Sequence, residues 1–103
     1  MEDYNTTLLL NGYFDNLESI QLPNSLTCLY FGRFFNQPID NIKWPKSITT
    51  LYISYIFDQP LDFLPETIKI VKINKRNKSS VLRQSLFLLP HETIVEYGDY
   101  VFT

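Results

Sequence analysis

An apolar residue followed by proline recurs four times along the chain, at Leu22-Pro23, Trp44-Pro45, Leu64-Pro65 and Leu89-Pro90, with spacings of 22, 20 and 25 residues. Periods of this length belong to chains that stack one small unit on the next, each unit too short to bury its own apolar face. Three residues after each of the first three prolines comes the same pattern of apolar positions: Leu26, Leu29, Phe31; Ile48, Leu51, Ile53; Ile68, Val71, Ile73. A second proline stands 15 residues after Pro23 and after Pro45, inside Phe35-Asn36-Gln37-Pro38-Ile39 and Phe57-Asp58-Gln59-Pro60-Leu61. The strings from Leu22 to Ile39 and from Trp44 to Leu61 are near copies in one register.

Alternation at Leu29-Tyr30-Phe31 and Leu51-Tyr52-Ile53 has the two-residue period of a short strand. One strand per unit, stacked at a strand spacing of about 4.8 Å, predicts a parallel sheet. Leu29, Leu51 and Val71 then form one inner column, and Phe31, Ile53 and Ile73 a second. The chain has no alanine and is 16% aromatic, so its apolar weight favours strands over long helices. A proline in each regular return path lacks the N–H that a helix interior needs. The expected fold is a repeat solenoid with one short parallel strand per coil, an irregular or 3₁₀ convex side, and little helix.

The flanks are weaker copies. Leu8, Leu10, Phe14 and Leu17 match the back half of a coil, and Leu89-Pro90 is followed by Ile94 and Tyr97 with one residue too many for the pattern. Residues 1–103 are therefore expected to form one domain. Its parts are a partial coil 5–21, coils 22–43 and 44–63, a divergent coil 64–88 carrying a basic insertion 74–80, and a partial C-terminal coil 89–103.

The Leu22–Ile39 string, its copy, and above all Phe35-Asn36-Gln37-Pro38-Ile39 resemble the FNIP repeat, a 22-residue relative of the leucine-rich repeat known from social amoebae and giant viruses of amoebae. The resemblance covers roughly residues 5–73. It implies a leucine-rich-repeat-like solenoid that acts as a binding surface, with a viral source among those expected. In several relatives the repeats follow an F-box that recruits a ubiquitin ligase. The 21 residues ahead of Leu22 are fewer than the roughly 40 of such a helical unit, so no F-box is expected in this sequence.

The formal charge is −2, but it is segregated: residues 1–66 total −5, residues 92–103 total −3, and no acid lies between Glu66 and Glu92, where six basic residues fall. Cys28 is the only cysteine, which excludes an internal disulfide and a zinc set and suits a reducing compartment. The start is acidic and Leu8-Leu9-Leu10 is too short to span a bilayer, so the expected location is the cytoplasm, or the host cytoplasm for a viral protein, with no membrane partner.

No catalytic constellation is present in the sequence, and no cofactor or metal is expected. His91 is the lone histidine and has no nucleophile beside it. Asp40 and Asp62 recur in the same slot of successive coils, as solvated loop acids do. Asn36 and Asp58 likewise match, and are expected to bond local backbone in turns. Cys28 faces outward with Arg33 as its only nearby cation in sequence, and is taken as incidental.

The outward strand positions carry the functional expectation. Their central column is Leu9, Tyr30, Tyr52 and Lys72, flanked by Thr50 and Ser54. Tyrosines on a concave sheet offer large contact area at low entropy cost, so the expected role is non-catalytic protein–protein recognition, with a protein partner. The alternatives are a truncated or degenerate repeat protein that needs another chain, with self-association through its end coils, and a weak nucleic-acid binder using Lys72, Lys75, Arg76, Lys78 and Arg83. The last is disfavoured because no aromatics interleave with that cluster.

Overall fold

The computed structural model describes residues 6–62 and 64–100. Residue 5, Phe63 and residues 101–103, at the edges of three expected coils, lie outside the described residues. Five strands run in chain order: β1 (Thr7–Leu10), β2 (Cys28–Phe31), β3 (Thr50–Ile53), β4 (Ile70–Asn74) and β5 (Ile94–Gly98). They form one sheet in the order β1-β2-β3-β4-β5, with every neighbouring pair parallel.

The register follows the sequence repeat. Leu29 pairs with Leu51 and Leu51 with Val71; Phe31 pairs with Ile53 and Ile53 with Ile73. All six are buried, none more than 1% exposed. The core lies between this inner face and the returning segments, which contribute Phe35, Ile39, Phe57 and Leu61. Phe31, Phe35 and Phe57 form an aromatic cluster with ring centroids 4.7, 5.1 and 6.1 Å apart, and Phe14 joins it at 6.1 Å from Phe35. Each ring fills the gap between two strand rows, which one short unit cannot do alone.

The return segments are not strands, so their backbone groups need other partners. The Asn and Gln of the repeated motif supply them. Gln37 spans back one repeat to Phe14, its Oε1 accepting from the Phe14 N–H and its Nε2 donating to the Phe14 carbonyl, both at 2.8 Å. Asn36 reaches forward, its Oδ1 accepting from the Asp58 N–H at 2.9 Å and from Gln59 Nε2 at 3.1 Å. The expectation of local turn bonds at Asn36 is thus corrected: its partners are 22 and 23 residues away. Ser47 adds a third rung, donating to the carbonyls of Asn24 and Leu26.

Three further expectations change. Residues 74–80 do not form a looped-out insertion. Asn74 ends β4, and Asn77 is 1% exposed in the slot that Phe35 and Phe57 fill in earlier repeats. Its Nδ2 donates to the carbonyls of Ser54 and Phe57, both at 2.9 Å, and its Oδ1 accepts from Ser79 N–H. The extra length sits later, in helix α1 (Ser80–Ser85) and a 3₁₀ turn at Leu86–Leu88. This return has no proline; Ser79 caps α1, its Oγ accepting from Leu82 N–H at 2.9 Å, so helix forms where Pro38 and Pro60 prevent it elsewhere. An α-helix was not expected on this side.

The last unit is one residue short rather than one too long. Ile94 pairs with Ile70, not with the row of Ile68: Thr93 N–H bonds the Pro90 carbonyl as Ile68 N–H bonds that of Pro65, and the paired position then comes one residue after Thr93 instead of two. Val95 and Tyr97 therefore face inward while Ile94 and Glu96 face out. Gly32 has no positive φ; that conformation belongs to Gly12 (φ 94°). What Gly32 permits is close approach, since a Cβ there would lie 2.8 Å from the Asn11 side chain, whose Oδ1 accepts from Phe34 N–H.

Candidate interaction face

On the sheet face away from the core, pairing aligns Leu9, Tyr30, Tyr52, Lys72 and Glu96 in one row across all five strands. The first four are the column read from the sequence. The fifth, Glu96, was hidden by the misplaced register of β5. Tyr30 and Tyr52 stack with centroids 4.1 Å apart and planes 6° from parallel. Lys72 Nζ lies 5.2 Å from the Tyr52 ring centroid and 3.8 Å from a Glu96 carboxylate oxygen. The row runs from an apolar end at Leu9, 39% exposed, through two stacked rings to an ion pair.

Packing in this row shifts its titrations. Burial and then the contact with Tyr52 push the Tyr30 phenol up to about 12. Hydrogen bonding to Tyr52, reinforced by Glu96, raises Lys72 above the usual lysine value. Burial also raises the Cys28 thiol, outweighing the opposing contacts of Tyr30 and Lys72; a thiol held protonated is a poor nucleophile.

The flanking positions divide. Thr50 is half-buried beside the row, in register with Cys28 and Ile70. Ser54, expected among the contact residues, is 2% exposed and offers a partner no surface. It lies on the floor of a cleft of about 250 Å³ walled by Arg33, Tyr55, Arg76, Asp99 and Tyr100. Tyr100 is the residue that sequence reasoning missed. Its ring meets Tyr52 edge-on, with centroids 5.4 Å apart and planes at 88°, and Lys72 Nζ is 5.8 Å from its centroid. The available signal was the alternation Ile94-Val95-Glu96-Tyr97, which marks a fifth strand ending beside the tyrosine row.

The basic segment is largely engaged within the chain. Lys75 pairs with Asp99 at 3.0 Å. Arg83 donates to the carbonyls of Asn77 and Ser79, tying down the chain at the start of α1. Arg76 and Lys78 are exposed. Asp40, Asp58 and Asp62 are exposed as well, and Asp58 accepts from Ser79 Oγ, continuing the ladder begun by Asn36. His91 is exposed.

A family model describing the FNIP repeat matches the chain twice, over residues 13–55 and 35–76. The chain belongs to the FNIP repeat family. The two matches overlap on the Phe35–Tyr55 stretch, which contains the motif whose Asn and Gln bridge the repeats. No curated protein matches the chain. Among the described residues, no helix is long and apolar enough to cross a membrane. In FNIP terms, the motif phenylalanine is the core residue and its Asn and Gln are the inter-repeat clamps, so the family signature is structural. The Tyr30–Tyr52–Lys72 row lies within the matched residues but apart from the Phe-Asn-Gln segment, on the sheet face away from the core.

Proposed function

We propose that this FNIP repeat protein is a non-catalytic protein-recognition module, a leucine-rich-repeat-like solenoid whose concave sheet face contacts a protein partner in the cytoplasm. The carrying observation is the Tyr30–Tyr52 stack extended by Lys72 on the face away from the core. Stacking holds the rings in one orientation before a partner arrives, and rigid aromatic anchors of this kind concentrate binding energy. Leu9 and Thr50 border the anchors. Membership in a family that resembles binding repeats supports the same role. The engagement of Lys75 and Arg83 within the chain weighs against the nucleic-acid alternative.

The test compares proteins retained by the immobilised chain with those retained by the Tyr30→Ser, Tyr52→Ser double variant. At least tenfold weaker retention of a specific partner, with thermal melting preserved, supports the reading; identical retention by both overturns it.

A second reading rests on the end of the sheet. Ile94 and Tyr97 on β5 are 52% and 50% exposed, and Phe87 is 88% exposed. A sheet edge with apolar neighbours is a template for pairing, and it supports self-association or docking of a further chain. Sedimentation across a concentration series tests this; a monomer throughout excludes self-association.

A further inference from the structure

Past β5 the chain turns back over the tyrosine row. Gly98 is the residue that allows this: it pairs with Asn74 at the end of the sheet, and a Cβ on it would lie 2.9 Å from the Tyr100 ring. Any larger residue at 98 pushes that ring away from Tyr52. Two residues are then held on the face by three kinds of contact. The Asp99 carboxylate pairs with Lys75, the Tyr100 ring packs on Tyr52 near Lys72, and the Tyr100 carbonyl accepts from Asn74 Nδ2. Beside them, the guanidinium groups of Arg33 and Arg76 wall the cleft, and neither is ion-paired among the described residues.

The chain thus displays on its own recognition face the chemistry that the face accepts. We propose that the sheet face binds an extended acidic segment of a partner protein, with an aromatic residue directly following an acid, in the place held by Asp99 and Tyr100. The resident pair is the competitor which that segment displaces. This rests on the reading of the sheet face as a protein-recognition surface and adds the partner's chemistry. Lys75 receives the acid, Lys72 lies over the ring and Tyr52 meets it edge-on, and Arg33 and Arg76 remain for further acids on the incoming segment. The occupant is readily displaced because its contacts are surface ones: the Asp99 side chain is 78% exposed. A tethered competitor that is in place about nine-tenths of the time weakens an external ligand about tenfold.

The probe is a fluorescent peptide copying Glu96-Tyr97-Gly98-Asp99-Tyr100, with a control peptide carrying Asn for the aspartate and Ala for the final tyrosine. Anisotropy titrations use the full chain, its Gly98→Ala variant, which keeps every side chain of the face, and its Asp99→Asn, Tyr100→Ala variant. The expected result is about tenfold tighter binding of the probe by both variants than by the unaltered chain, little binding of the control, and loss of the gain when Tyr52→Ser and Lys75→Ala are added. Equal affinity of all three chains for the probe, or equal binding of probe and control, overturns the proposal. If only one variant melts cooperatively, the comparison with that variant decides. Should the probe show no gain while the Tyr30→Ser, Tyr52→Ser variant still loses its retained partner, only the acidic–aromatic chemistry falls; should neither respond, the recognition face falls with it.

Discussion

Gln37 holds Phe14 by both of its backbone groups, the side-chain amide replacing the two hydrogen bonds that a neighbouring strand would make. The pairing is 23 residues long in sequence and joins two return segments that have no ladder of their own. Gln37→Ala leaves both Phe14 groups without their partner in a partly buried site. The expected loss is about 1–3 kcal/mol, measured by urea unfolding. Gln37→Glu keeps the acceptor for the Phe14 N–H but sets a second acceptor against its carbonyl, and should also destabilise. Wild-type stability in both variants would remove the clamp from the account of the motif.

Neighbouring residues in β2 should behave as opposites. Phe31 is fully buried between Phe35 and Phe57, and Phe31→Ala should cost about 3–5 kcal/mol, a large part of the total stability of a domain this small. Tyr30 faces away from the core, and Tyr30→Ser should cost about 1 kcal/mol through the lost stacking on Tyr52. Thermal melts of the two variants give the comparison; similar losses would mean that the outer row is as structural as the inner one.

The repeat made the sheet legible because a two-residue strand period and a near-constant spacing leave one register that buries Leu29, Leu51 and Val71 together. The row Leu9–Tyr30–Tyr52–Lys72 followed from the same arithmetic. What escaped it depended on departures from the period. One residue fewer lies between the turn at Pro90 and its strand than in the earlier units, which set β5 two residues along β4 from the expected register and brought Glu96 beside Lys72. Asn77 sits in a slot the pattern reserves for phenylalanine, and a polar stretch around a buried asparagine has the composition of a loop. Ser54 shares its burial with Gly32 and Asn74, the residues after Phe31 and Ile73 in the neighbouring units, while the placement of Tyr100 comes from a chain reversal after Gly98, which no periodicity encodes.

Tyr30 makes the fold sensitive to alkali. Its phenol is shifted up to about 12 by burial and by Tyr52, above the ordinary tyrosine value near 10. A pKa that is higher folded than unfolded gives a contribution fully present below the unfolded value and lost as pH rises through the folded one. Stability should therefore be insensitive to this group below about pH 10 and fall between there and pH 12. Tyr30→Phe should flatten that fall. Denaturant midpoints at pH 9 and above, read for both chains, decide; parallel curves would reject the assignment.

Thr67 offers a stabilising change. Its Oγ1 is buried with no hydrogen-bond partner among the described residues, whereas Ser47, at the equivalent position one repeat earlier, bonds two carbonyls. An orphaned buried hydroxyl carries a desolvation cost that an apolar group of the same shape does not. Thr67→Val should raise stability by up to about 1 kcal/mol, seen as a higher melting temperature. A drop would show that the hydroxyl is bonded in solution.

Asn77 ends the phenylalanine column and cannot be replaced by what it displaced. Where Phe14, Phe35 and Phe57 fill space, Asn77 instead donates to the carbonyls of Ser54 and Phe57 and accepts from Ser79 N–H, fixing the chain at the cap of α1. Asn77→Ala strands two buried carbonyls and one partly buried N–H and should cost about 2–4 kcal/mol. Asn77→Phe restores the family pattern locally but places a ring where the following return runs into α1 with no matching Phe-Asn-Gln-Pro segment, so it too should destabilise. Asn77→Asp separates the two jobs: it keeps the acceptor for Ser79 N–H and loses the donor to the two carbonyls. Amide hydrogen exchange at Ser79 and Leu82 should then stay slow in Asn77→Asp and become fast in Asn77→Ala. Fast exchange in both would place the stabilisation of the helix start in the donor contacts alone.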